Sequence, residues 1–276
     1  MVLILALGAG VTACSNGDGA ASGQTEVVAS FYPLAFAAEA IGGSGVSVTN
    51  LTPPGAEPHD VELSVRDVEQ VRSADVVFYL GSGFQPAVER AVAGGDAEAV
   101  DLLEGPMLRT EADIDPHVWL DPLRYAKVVR RIGAVLARPT QQFEQRLRNL
   151  DEEFESGLAE CERREVVTSH DAFSYLAERY GLEQIAISGI SPEAEPTPRE
   201  LERVIADVRA HGATTVFFET LVSPRIAETV AREAGARIAT LNPLEGLTEE
   251  EIETGEDYFS VMRTNLEALR EALGCR

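Results

Sequence analysis

Along the chain, short apolar runs rich in Val, Ile and Phe alternate with stretches whose apolar residues recur every three or four positions. Runs at 27–30, 46–51 and 76–80 predict strands, and the stretches 34–41 and 65–73 between them predict helices. A second series repeats the theme, with strands predicted at 166–169, 184–187, 215–218 and 237–241 and helices at 173–180, 198–210 and 225–234. One helix start is explicit: Thr197, Pro198 and Glu200 supply the N-cap, the first helical position and the reciprocal partner of a capping box. Strands alternating with helices specify an α/β fold with mostly parallel sheets. Two such series specify two α/β lobes, over 26–138 and 166–276.

Between the lobes, 122–136 is helical by period, Arg138 and Pro139 interrupt it, and 140–164 resumes with Phe143, Leu147, Leu150, Phe154 and Leu158 on one stripe. Polar residues fill the other faces, so an amphipathic linker helix of roughly 25 residues is expected over 139–165. One long rigid helix joining two lobes permits less hinge closure than flexible strands would. No internal repeat stands out in the sequence.

A chain of 276 residues, 45% hydrophobic and 25% charged, suffices for one large or two medium globular domains. Charge is more informative. Lys and Arg number 23 against 46 Asp and Glu, a net −23, which argues against nucleic acid or an anionic lipid surface as partner. The first residues run from an apolar stretch into Cys14 and then a Gly/Ser/Ala-rich linker at 15–25. That stretch is too short to cross a bilayer, which takes roughly 20 apolar residues, and it reads as a secretory signal over 1–14. Val11, Thr12, Ala13 and Cys14 resemble a bacterial lipobox, which implies that Cys14 is acylated and anchors an extracytoplasmic lipoprotein to the cytoplasmic membrane. The missing Lys or Arg ahead of the apolar run departs from that pattern. With Cys14 so assigned, Cys161 and Cys275 are left in a compartment where disulfides persist. One bridge between them is expected, two unpaired thiols being the alternative.

The sequence holds four His: His59 in a Pro/Gly-rich loop, His117 in DPHVWLDP, His170 in VVTSHDAF and His211 in RAHGAT. His59 follows the run at 46–51 and His170 the run at 166–169, outside the carboxyl ends of strands, where open α/β sheets bind ligands. His117 lies between acidic residues, and either Asp115 or Asp121 can accept its second ring N–H. His211 precedes Gly212 at a helix end, where the dipole and the cap account for it. The spacing matches no short metal motif, so the His residues by themselves leave the chemistry open.

The segments PPGAEPHDVEL, DPHVWLDP, VVTSHDAFSYLAERYGL, FFETLVS and LNPLEGLTEEEIETGEDYFSVMRTNLEALREAL resemble, in that order, the zinc/manganese substrate-binding proteins of bacterial ABC importers, over about 26–273. The resemblance implies two α/β lobes joined by one long helix, with a metal ion in the cleft between them. It implies ligands at His59, His117 and His170, one in each matching motif, and leaves His211 outside the site. For the fourth position it implies Glu245 of NPLEG. Water, Asn242 (where other members carry Asp) and Glu57 are the alternatives. Three imidazoles and a carboxylate suit tetrahedral Zn2+, whereas Mn2+ prefers more oxygen, and the family's manganese binders carry an acidic residue in place of the third His. The His-rich loop frequent in zinc members is missing, although Glu111, Asp113 and Asp115 make the end of 85–115 acidic.

The expected function is therefore capture of Zn2+, as transported ligand, by a monomer that passes it to an ABC permease and its ATPase. The protein is expected to be no enzyme, to bind no nucleic acid and to meet the membrane through its N-terminal lipid anchor. Delivery of Mn2+ or Fe2+ by the same scaffold, a surface adhesin, and a zinc enzyme using three His and a water are the rival readings. Ligands from both lobes would let the ion tie the cleft shut. Affinity should fall below about pH 6.5, where imidazoles take up protons.

Overall fold

The computed structural model of the chain describes residues 23–104 and 115–276. The signal and lipobox with Cys14, and the acidic pair Glu111 and Asp113, lie outside these residues. The first lobe comprises β1 (Thr25–Ala29), α1 (Tyr32–Gly42), β2 (Val46–Asn50), α2 (Val65–Ser73), β3 (Val76–Tyr79), α3 (Pro86–Ala93) and β4 (Glu98–Asp101). Two helices, α4 (Pro122–Val135) and α5 (Gln141–Gly157), lead to the second lobe. There follow β5 (Glu165–Thr168), α6 (Ser174–Tyr180), β6 (Glu183–Ala186), α7 (Pro198–His211), β7 (Thr215–Phe218), α8 (Arg225–Ala234), β8 (Arg237–Thr240), α9 (Glu249–Glu253) and α10 (Tyr258–Leu273).

Both sheets are parallel, in the orders β2-β1-β3-β4 and β6-β5-β7-β8. The lobes thus share one topology without sharing a readable sequence, because parallel strands buried on both faces need only β-branched and aromatic residues. Val27, Val28, Val77, Phe78, Val166, Val167, Val216 and Phe217 are accordingly all buried. In each sheet the order reverses beside the first strand, between β1 and β3 and between β5 and β7. Loops leaving the carboxyl ends at such a point diverge and open a crevice.

A continuous apolar cluster runs through both lobes, taking Phe31, Leu34 and Trp119 from one side, Leu147 and Phe154 from α5, and Leu176, Phe217 and Tyr258 from the other. Separate, smaller clusters seal the outer faces under α2 and α3 and under α7 and α8. Two hydrogen bonds lock the shared interior. Trp119 Nε1 donates to the Pro243 carbonyl at 2.7 Å, and the Tyr258 hydroxyl donates to the Trp119 carbonyl at 2.6 Å.

The linker helix departs from its expected length. α5 spans 17 residues and ends where Ser156 turns its hydroxyl back onto the carbonyls of Glu152 and Glu153, a bond that weakens a helix end. Gly157 follows; a Cβ there would stand 3.1 Å from Leu266 Cδ1, so α5 and α10 meet backbone to side chain. The chain then turns, and Cys161 joins Cys275 in a disulfide that closes a separation of 114 residues. The stretch 85–115, read above only for its lack of His, contains α3 and β4, and the end of the last motif folds as α10. No helix among the described residues is long and apolar enough to cross a membrane.

Candidate metal centre

Four residues distant in sequence converge between the lobes, and each arrives by a local device. His59 lies in the loop after β2. Buried Gln85 gathers that loop, its Nε2 donating to the carbonyls of Ser30 (3.3 Å) and Pro58 (3.2 Å). His117 stands just ahead of the single turn that precedes α4. Asp121 caps α4, accepting the N–H groups of Leu123 (2.8 Å) and Arg124 (3.2 Å), which leaves Asp115 to orient the imidazole. His170 lies two residues beyond β5, at the strand-order reversal of the second sheet. Glu245 occupies the loop after β8, where Leu244 adopts φ 56°, a left-handed conformation that costs a non-glycine residue about 1–3 kcal/mol.

That strain is held by Asn242. Its Oδ1 accepts the Leu244 N–H at 2.8 Å, its Nδ2 donates to Glu251 at 2.9 Å, and Asn265 brackets its backbone at 2.9 and 2.7 Å. Asn242 therefore shapes the loop that aims Glu245, and its amide is committed elsewhere. The His59 and Glu245 loops are also tied directly, through the Gly55 N–H to the Leu247 carbonyl at 2.9 Å.

Glu245 Oε1 is 3.2 Å from His59 Nε2, 3.0 Å from His117 Nε2 and 3.2 Å from His170 Nε2, and the last two nitrogens are 3.3 Å apart. Among the described residues this is the group of His, Cys, Asp and Glu side chains whose ligand atoms come close enough to hold a metal. A regular tetrahedron with such edges has its centre about 2.0 Å from each corner, the Zn–N and Zn–O distance. His117, His170 and Glu245 are fully buried, and His59 is 9% exposed. His211 sits at the far end of α7, exposed, with its ring against the Asp207 carbonyl.

Carboxylates hold the backbone of all three His and the rings of two. Asp115 Oδ1 accepts both the His117 backbone N–H (2.9 Å) and Nδ1–H (2.7 Å), and Asp115 is itself held by the Ser174 hydroxyl. Glu219 flanks His170 likewise, Oε1 accepting its backbone N–H at 3.1 Å and Oε2 lying 2.7 Å from Nδ1 as a close ion pair. Holding Nδ1–H points Nε2 at the centre and raises its basicity. Glu219 went unread in the sequence although it lies inside the quoted FFETLVS; its position directly after a strand, as for His170, was the available signal. At His59 the carboxylate of Glu57 accepts only the backbone N–H, at 3.0 Å, and the ring meets the edge of Phe84 instead. Replacing Asp115 by Asn or Glu219 by Gln should weaken metal affinity by about 10–100-fold without unfolding the protein, checked by competition with a chromophoric chelator.

The site's charges follow from burial opposed by close partners. Burial disfavours the imidazolium of His170, but Glu245 and Glu219 outweigh it and hold its pKa well above the usual value. For His117, burial is likewise outweighed by Asp115 and Glu245, and the pKa is raised. At His59 burial prevails and the pKa is lowered. Burial would protonate Glu245, yet His170, His117 and His59 keep its pKa well below the ordinary range. Glu57 is pressed against Glu245, and burial followed by that charge pushes it up to about 9, so it carries a proton at neutral pH.

Comparison with known proteins gives a consistent picture. The family model described as zinc-uptake complex component A, periplasmic, matches residues 27–272. The chain is 34% identical to the zinc-binding protein AdcA of Streptococcus pyogenes over 91% of its own length and 56% of the relative's. It thus spans little more than half of that curated relative. It is 31% identical to the high-affinity zinc uptake system protein ZnuA of Bacillus subtilis, covering 95% of this chain and 93% of that one. Among solved structures, the Zn(II)-bound ZnuA-like domain of Streptococcus pneumoniae AdcA superposes with a TM-score of 0.77 at 32% identity, over 91% of this chain and 99% of that one.

Proposed function

The chain belongs to the zinc-uptake complex component A family, and we propose that it captures Zn2+ outside the cytoplasm and hands it to an ABC permease driven by its ATPase. The observation that carries this reading is the convergence of three Nε2 atoms and one carboxylate oxygen from both lobes on a point that fits tetrahedral zinc. His59, His117, His170 and Glu245 are the proposed ligands. A carboxylate in the fourth position leaves no coordination site for an activated water, which favours carriage of the ion over catalysis on it. The anchor of such a lipoprotein would be Cys14. Protein purified without a tag should contain one zinc per chain. After chelation it should rebind Zn2+ in preference to Mn2+ or Fe2+ in a competition titration. Preference for Mn2+ would overturn the choice of ion, and binding of no divalent ion would overturn the reading.

Loading should exchange protons for metal. His117 and His170, whose pKa values are raised by Asp115, Glu245 and Glu219, keep protons to higher pH than ordinary imidazoles, and Zn2+ must displace the protons they carry. Each proton displaced offsets part of the charge that the ion brings into the buried site. A raised His pKa stabilises the metal-free fold fully below 6.5, the ordinary His value, and that stabilisation fades as pH rises through the folded value. Affinity for Zn2+ therefore climbs through the same interval. Calorimetry at neutral pH in two buffers of different ionisation enthalpy should reveal proton release on zinc binding, and no release would contradict the assignment.

A further inference from the structure

We infer that Phe84 is a positioning residue for the metal, holding the His59 ring where carboxylates stand behind the other two, and that this contact sets how long His59 stays on the ion. The inference rests on the zinc-carrier reading above. Asp115 pairs with the His117 ring and Glu219 with the His170 ring. Behind His59 no such group stands: Glu57 takes the backbone N–H, and among the described residues no carboxylate lies within ion-pair distance of Nδ1. A ligating imidazole is ordinarily oriented through the ring nitrogen that the metal does not use. His59 has to be oriented by packing.

The packing comes from Phe84. Its ring meets that of His59 at 4.6 Å between centroids and an interplanar angle of 78°, the edge-to-face arrangement that aromatic pairs favour. Phe84 is itself fixed, being 5% exposed and wedged against Phe31 at 5.0 Å and Trp119 at 6.0 Å. Trp119 in turn lies 5.2 Å from the His117 ring, and its Nε1 reaches the Pro243 carbonyl in the loop of Glu245. One aromatic row therefore touches His59 and His117 and is tied to the loop that carries a third ligand.

The backbone is shaped to deliver this ring. Between β3 and α3, Ser82 (φ 63°) and Gly83 (φ 84°) both take left-handed conformations, and carboxylates of Asp101 (2.9 Å) and Glu89 (2.8 Å) pin the Gly81 and Gly83 N–H groups. A left-handed serine is strained, and such strain persists only where the surrounding structure imposes it. The turn drives two consecutive residues inward, Phe84 against the His59 ring and Gln85 onto the Pro58 carbonyl, one peptide before His59. Ring and backbone of His59 are thus mounted from one turn. A ring contact lacks the direction of a charged hydrogen bond, so it orients His59 and still leaves it easier to displace than His117 or His170.

Zinc affinity and stopped-flow release into excess chelator, measured on the full chain, test this. Phe84→Leu keeps most of the apolar volume and removes the ring. It is expected to weaken affinity about 2- to 10-fold, the worth of an aromatic contact, with release accelerated by nearly the whole factor. In a His59→Ala background the same substitution should change neither quantity, because the residue through which Phe84 acts is gone. A metal-free readout accompanies these: with 13C-labelled His, the ring-current shift of the His59 resonances should vanish in Phe84→Leu while the His211 resonances stay in place. Equal affinity and release rate for wild type and Phe84→Leu would overturn the inference. So would a loss of the same size with and without the His59 ring, the result that a merely structural Phe84 gives. If Leu prevents folding, Phe84→Met, whose unbranched chain fills irregular gaps, takes its place in every arm. Wild-type protein that holds no zinc would sink the functional reading, whereas unmoved His59 resonances would sink this inference alone.

Discussion

His170→Ala will lower zinc affinity by about 100-fold or more, while His211→Ala will leave it unchanged. A protein zinc site of four ligands is worth roughly 10–16 kcal/mol, so one ligand accounts for about 3 kcal/mol, and each 1.4 kcal/mol is a factor of ten. At His170 the loss goes further. The imidazole also compensates Glu219, which is 3% exposed and would be left as a buried carboxylate without its partner. Breaking a buried pair from one side is destabilising by about 3–5 kcal/mol, so the metal-free variant should also unfold at lower denaturant. Chelator competition measures the first effect and a guanidinium titration the second. An affinity within threefold of wild type, with the protein folded, would remove His170 from the ligand set.

Replacing both Cys161 and Cys275 by Ser will cost stability and spare the metal. The disulfide closes a separation of 114 residues, for which the chain-entropy account gives about 4–5 kcal/mol, and measured losses run from about 2 to 5. For a chain of this size that corresponds to a fall in Tm of roughly 5–15 °C. Zinc affinity should hold, because the bridge lies past the far end of α10, a 16-residue helix about 24 Å long. The start of that helix touches Trp119 beside His117, through Tyr258. Equal melting temperatures with and without the bridge would show that α5 and α10 need no tether; a large loss of affinity would mean that they transmit strain to the site.

Much of this was legible in the sequence. Strand and helix periods gave α2, β7 and α8 at their observed bounds because each is a simple pattern between clear stops. The three His stood in motifs whose order carried more information than any spacing within them. Other features depended on tertiary contacts that no local pattern encodes. The early end of α5 reflects Ser156, Gly157 and the pull of Cys161 toward Cys275, whereas an apolar stripe continuing to Leu158 argues for a longer helix. The choice of Asp115 over Asp121 behind His117 was open in sequence, since both flank the imidazole. It was closed by Asp121 being spent on the α4 cap. Glu219 was invisible as a partner because 49 residues separate it from His170, and only the pairing of β5 with β7 brings them together. The bend at Leu244 that aims Glu245 likewise depends on Asn242, a residue that in sequence competes for the role of ligand.

The interior common to both lobes has a thermodynamic corollary. Phe31, Trp119, Phe154, Phe217 and Tyr258 belong to one apolar mass, so a polypeptide severed between the halves would strand roughly half of that mass in water on each fragment. Topologically the molecule is a pair, but energetically it is a single melting unit. A molecule of that kind has no low-cost clamshell swing to offer its cargo, and the freedom needed for loading and unloading has to be found in side chains and loops at the rim.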